Sequence, residues 1–257
     1  VKIVVLLSAG LHPMSGRPCP VPVELQAIGL AQGLLRNQIG SHGGSVVGLH
    51  AGEATPSVLD CFGHGLSTIE VLRQANGDPG AALTAAIRRI APDLVLAGNR
   101  ARGGEDSGMV PYCVAASLGW PLCPDAVDVA RHKQGFDVIQ AQPRGARRRM
   151  VLAAPAIVTV HPAAPAAAAF AFAAARLGNL ILTCGSPMAP ADRTISEHPY
   201  RRRPRLLHGA TFGGSAGSRL KAATEVSGGG QVMIDPLPEE AADAICALLA
   251  RLGLLPV

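Results

Sequence analysis

The chain has 257 residues, 48% of them apolar and 16% charged, with a formal net charge of +5. This excludes a disordered segment and leaves room for one large domain, or for a domain with an appendage. Twenty of the 23 basic residues are arginine, clustered at Arg147–Arg149 and at Arg201–Arg203 with Arg205. Only Tyr200 stands beside them, so no stacking platform for bases is present and the charge does not indicate nucleic acid.

The N-terminal run "KIVVLL" predicts a strand buried on both faces, and it is too short for a secretory signal or a membrane span. "ELQAIGLAQGLLRN" predicts a helix with Leu25, Ile28, Leu30, Leu34 and Leu35 along one side. "SVVGLH" is a second strand, and "PSVLDCFGHG" a short helix closing at Gly63 or Gly65. "TIEVL" is a third strand. "DPGAALTAAIRRIAP" is a helix with Asp78 as cap and Pro79 in its first turn. "DLVLAG" is a fourth strand, followed by a loop and a helix from Met109 onward.

This β-α-β-α-β-α-β-α order implies an α/β fold built on an open parallel sheet. Beyond Pro121, "DAVDVARH", "FDVIQAQ" and "RRRMVLAA" are spaced as a small antiparallel meander with turns at "KQG" and "PRGA". "PAIVTV" is a further buried strand. The alanine-rich run Ala163–Ala175 is too weakly apolar, and too interrupted by Pro162 and Pro165, to span a membrane. The sequence thus divides into an α/β domain, 1–182, and an extended arm, 183–257. The arm ends in an amphipathic helix carrying Ala241, Ile245, Leu248, Leu249 and Leu252 on one side. An arm with so little core of its own is expected to lie against a partner subunit.

Ligands of open parallel sheets sit beyond the carboxyl ends of the strands, where strand order reverses. Three small-residue loops leave such ends: Ser8-Ala9-Gly10, Ala51-Gly52, and the loop Asn99 to Val110. The third holds Arg100 and Arg102, suited to phosphate oxygens, and "DSG" (Asp106, Ser107, Gly108) leading into a helix start. Two readings fit: a nucleotide pocket, or tight turns with solvated arginines. The six cysteines form no CxxC pair, which points to a reduced, cytoplasmic protein. No GxSxG elbow and no metal-ligand spacing occurs, and His50 and His64 suit surface or turn roles; neither catalytic residues nor a metal is expected.

"KIVVLL", "PDLVLAG" with "DSG", "LGWP" and "LAAPAIVTV", in this order, resemble the β subunit of electron transfer flavoprotein over roughly residues 1–180. The resemblance implies a sheet of adenine-nucleotide-hydrolase-like type and a heterodimer with an α subunit that holds most of an FAD. It also implies AMP bound structurally in this chain, and electron transfer from a dehydrogenase to a membrane quinone oxidoreductase. Ser8, Ala9, Ala51, Gly52, Asn99, Arg100, Asp106, Ser107, Gly108, Met109 and Val110 match the family's nucleotide positions. Three departures stand out. The segment "LHPMSGRPCPVP" is short, which bears on the FAD contribution, and Met109 replaces a glutamine. The partner-recognition loop keeps Pro165, with Phe170 or Phe172 in place of an anchoring leucine. A dedicated donor dehydrogenase is the expectation. The alternatives are a bifurcating relative with a second FAD in the nucleotide site, and a stand-alone adenine-nucleotide-binding protein.

Overall fold

Apolar runs with no polar alternation form the middle of the sheet: β1 (Lys2–Leu6), β2 (Ser45–Ala51), β3 (Thr68–Arg73) and β4 (Leu94–Gly98). All five residues of β4 are buried, as expected of a parallel strand covered on both faces. The computed structural model describes residues 1–36, 44–73, 79–102, 106–184, 215–217 and 233–251. Between the strands run α1 (Pro22–Arg36), α2 (Pro56–Leu59) with a 3-10 turn at Asp60–His64, and α3 (Pro79–Ile90). The 3-10 turn ends at Gly65 in the left-handed conformation, φ 108°, as the sequence predicts. The expected cap Asp78 lies outside the described residues.

After β4 come α4 (Val110–Leu118), β5 (Leu122–His132), β6 (Gly135–Ala141), β7 (Arg147–Ala153) and β8 (Ala156–Val160). Then follow α5 (Phe172–Leu177) and β9 (Asn179–Cys184). The nine strands form one sheet in the order β7-β6-β5-β8-β4-β1-β2-β3-β9. The meander β5–β7 is therefore no appendage: β5 pairs parallel with β8 and carries the sheet outward. At the other edge β9 pairs parallel with β3. The sequence gives no expectation of this strand, and β9 runs across the expected 182/183 boundary. "NLILTC" shows no burial alternation because an edge strand is half-exposed throughout.

Helix α1 packs on one face of the sheet with the α2 turn, and α3 and α4 pack on the other, each face with its own apolar cluster. The buried side of α1 is Val23, Glu24, Ala27, Ile28, Leu30, Ala31 and Leu34. Leu25 and Leu35, expected inside, are only half-buried. Alanines at 27 and 31 let the helix lie close on the sheet, and the rotation this requires turns Glu24 inward.

The chain divides into two compact units, Val1–Thr194 and Ile195–Val257. In the second, the expected helix is present as α6 (Pro238–Arg251), with Glu239 and Glu240 in its first turn, where carboxylates suit the helix dipole. Ala241, Ala244, Leu248 and Leu249 are half-buried and Ile245 is exposed. The arginines at 201–205 and Leu252 lie outside the described residues. No helix among the described residues is long and apolar enough to cross a membrane.

Candidate functional site

The chain proceeds from β1 to β2 and β3 on one side of the sheet, while β4 and β8 lie on the other side of β1. The β1/β4 boundary is thus the point where strand order reverses, and a crevice opens beyond the carboxyl ends of these two strands. A cavity of about 600 Å³ lies there. Its walls are the start of α1 (Val21, Pro22, Val23, Leu25, Gln26), the turn after β4 (Asn99, Arg100, Ala101, Arg102, Asp106) and, from the segment after β8, Pro162, Ala166 and Ala167. Gln26 fixes the third wall by donating from Nε2 to the carbonyls of Pro162 (3.1 Å) and Ala164 (2.7 Å).

The turn after β4 is held at several points. The Asn99 N–H donates to the Val160 carbonyl, and its Nδ2 donates to Asp125 Oδ1 at 3.1 Å. Asp125, at φ 56°, is pinned in turn by its N–H to Thr159 Oγ1 at 3.0 Å. Arg100 pairs with Asp106 Oδ2 at 3.0 Å, while Asp106 Oδ1 is buried and makes no hydrogen bond among the described residues. Gly108 takes φ 68°, and a Cβ there would stand 2.6 Å from the Asn99 carbonyl oxygen. The exposed excursion after β1 is tied to the same turn by the Leu11 N–H to the Arg102 carbonyl, 2.6 Å.

Ser8 and Ala9 do not line the cavity, and Ser8 binds the buried Glu24 of α1 instead. The Ser8 N–H donates to Glu24 Oε2 at 2.9 Å, and its hydroxyl hydrogen-bonds Oε1 at 2.5 Å. Glu24 is almost fully buried. Burial pushes its carboxyl up to about 8, against the two Ser8 hydrogen bonds, which favour the ionised form.

Of the residues singled out from sequence, Asn99, Arg100 and Asp106 meet around the cavity. Ala51 and Gly52 lie at the end of β2, where Gly52 packs on His50, and they do not line it. Ser107, Gly108, Met109 and Val110 close the turn behind it, with Ser107 Oγ accepting from the Met109 N–H at 3.3 Å. Pro111 in the first turn of α4 removes one of the free N–H groups on which an anion site there would draw.

His50, expected at the surface, is buried. Its Nδ1 lies 2.9 Å from the Leu7 carbonyl, and burial holds the ring neutral against the Leu7 and Glu53 backbone groups that favour its charged form. Glu24, Gln26, Asp125 and Thr159 are absent from the sequence expectations. In the sequence Glu24 reads as an ordinary first-turn carboxylate of α1, and the other three carry no local signal.

The electron transfer flavoprotein domain model matches residues 19–179. Over 258 aligned residues the chain is 36% identical to the electron transfer flavoprotein subunit beta of Chromohalobacter salexigens, covering 97% of this chain and 94% of that protein. The chain belongs to the electron transfer flavoprotein β-subunit family. Within this family member, Pro165 lies inside the segment that supplies the cavity's third wall without lining it, and the two phenylalanines follow that segment. Phe170 is seated on Gly63 and meets the His64 ring edge-on at 5.5 Å, and His64 Nδ1 lies 2.8 Å from the Ala168 carbonyl, a contact that ties the 3-10 turn to the distant segment carrying Phe170. Phe172 is 68% exposed, with the Arg176 guanidinium over its ring at 5.9 Å. Among the described residues no group of three metal-ligating side chains converges.

Proposed function

We propose that this chain is the β subunit of an electron transfer flavoprotein heterodimer that binds AMP in the β1/β4 cavity. It would help an α subunit hold one FAD and pass electrons from a dedicated dehydrogenase to a membrane quinone oxidoreductase in a cytoplasmic setting. Family membership implies an electron-transfer role, association with flavin and pairing with an α subunit. The observation that carries the finer reading is the cavity at the strand reversal. About 600 Å³ falls within the roughly 300–1,000 Å³ of small-ligand sites. Arg100 and Arg102 are donors for a phosphate. Bound FAD supplies the one- and two-electron chemistry. This chain's part is to orient it, with the short excursion 11–18 as its contribution. The chain supplies no catalytic residue. The arm from residue 183 packs on the α subunit, and Pro165, Phe170 and Phe172 dock the donor dehydrogenase.

The test is co-expression with an α-type subunit, an absorbance scan of the purified complex, and chromatographic identification of the nucleotides released on denaturation. One FAD and one AMP per heterodimer are expected. Two FAD and no AMP would move the chain to the bifurcating type, and neither nucleotide would overturn the proposal. Arg100→Ala provides a second check. Its pair with Asp106 is exposed, and such pairs contribute about 0–1 kcal/mol, so the melting temperature stays nearly unchanged. Loss of a charged phosphate contact weakens AMP binding by about tenfold or more. Equal AMP affinity in the variant would place the Arg100 guanidinium away from the phosphate.

A further inference from the structure

Among the described residues, β9 is the one strand that has no buried residue. It pairs along its whole length with Thr68–Arg73 of β3, yet Ile181 is 42% and Leu182 49% exposed, and Leu180 packs only partly buried against the core. Little apolar burial therefore holds it to the sheet. A side-chain contact assists the ladder: Thr183 Oγ1 donates to Glu70 Oε1 at 2.8 Å. Glu70 lies in β3, where burial is unbroken from Ile69 to Leu72, and Arg89 of α3 pairs with the same carboxylate oxygen.

A buried carboxylate in an interior strand carries a desolvation cost that its two donors must offset. In an edge strand the same residue is ordinary, because an inward-pointing charge keeps an open edge from pairing with other chains. β3 thus carries the protection of an open edge although β9 covers it.

We propose that β9 is a detachable strap: it seats on β3 through Thr183 and Glu70, and its seating sets where the arm leaves the sheet, so that strap closure and α-subunit binding favour each other. The inference rests on the reading of the arm as the grip on the α subunit, and adds to it a two-state element at the root of that grip. When β9 lifts, Glu70 exchanges the Thr183 hydroxyl for water and keeps Arg89, whose side chain is 57% exposed, so the open state strands no charge. When β9 seats, the arm starts from one fixed point, and less freedom is lost on binding. The coupling is reciprocal: the factor by which the α subunit stabilises the closed strap is the factor by which closure raises α-subunit affinity.

The experiment is hydrogen exchange, read by mass spectrometry, on the full chain alone and in its heterodimer with an α-type subunit. In the chain alone, the amides of 179–184 are expected to exchange at least about a hundredfold faster than those of β4, and to slow by about tenfold in the heterodimer. Thr183→Asp sets a second carboxylate against Glu70 and holds the strap open. Its β9 amides are expected to lose protection while those of β4 keep theirs, and its α-subunit affinity to fall by about tenfold. Adding Glu70→Gln removes the repulsion and is expected to restore both. Exchange of β9 as slow as that of β4 in the wild-type chain, or no slowing in the heterodimer, overturns the strap even if the aspartate variant fails to fold. Full affinity in Thr183→Asp with β9 unprotected overturns the coupling. Affinity lost in Thr183→Asp and not regained with Glu70→Gln would mean that residue 183 touches the α subunit directly, and overturns it as well. Each of these outcomes leaves the heterodimer standing, whereas a wild-type chain that associates with no α-type subunit overturns both readings.

Discussion

Gly108→Ala lowers stability by about 2–5 kcal/mol and abolishes AMP binding, whereas Gly119→Ala costs about 1–2 kcal/mol and leaves binding intact. The two glycines form a matched pair. Both hold left-handed backbone, φ 68° at Gly108 and φ 69° at Gly119, and flank α4 at its two ends. A side chain at either pays the same conformational penalty. They differ in what surrounds them. A Cβ at Gly119 meets nothing within 4 Å, while one at Gly108 stands 2.6 Å from the Asn99 carbonyl oxygen. That oxygen belongs to the backbone of a residue pinned by Val160 and Asp125, so it cannot swing aside. Relief has to come from moving the whole turn, and with it Arg100 and Asp106, which line the cavity. Thermal unfolding of the two variants gives the stability difference, and AMP titration gives the functional one. Equal losses in both proteins would mean that the turn yields freely and is not the rigid wall described above.

The parts of this fold that were legible in the sequence are those where burial is unbroken or strictly periodic. β4 has five buried residues in a row, and α3 has alanines and isoleucines at helical spacing behind Pro79. The antiparallel strands β5 to β7 were legible through their turns. Their union with the parallel sheet was not, because the pairing of β5 with β8 leaves no local mark in either strand. β9 was illegible for a different reason. It follows an alanine-rich stretch and is half-exposed, so its apolar residues show neither a continuous nor an alternating pattern.

At the site, the glycines and arginines of the β4 turn were visible as types, and the structure brings Asn99, Arg100 and Asp106 together. Glu24 was not visible as a buried acid. A carboxylate near a helix start is ordinarily explained by the helix dipole, and only the rotation of α1 and the position of Ser8, 16 residues earlier, turn it inward. Asp125 and Thr159 were likewise silent, since they support Asn99 across separate strands.

Glu24→Gln raises the melting temperature above pH 8 and leaves it nearly unchanged near pH 4. In the unfolded chain the carboxyl titrates at its ordinary value of 4.5, and in the fold at about 8. Between these values the folded state binds a proton that the unfolded state has lost, so this group's stabilisation is complete below about 4.5 and lost as pH rises through 8. At about 1.4 kcal/mol per pH unit the interval converts to on the order of 3–5 kcal/mol. Glutamine keeps an acceptor for Ser8 and cannot ionise, so the variant lacks this slope. A difference of 3 kcal/mol corresponds to a shift of about 6–12 °C in a chain of this size. The measurement is the difference in melting temperature between the two proteins from pH 4 to 9; other titrating groups act on both alike. A difference that stays constant across the range would mean that Glu24 is already ionised in the fold at neutral pH.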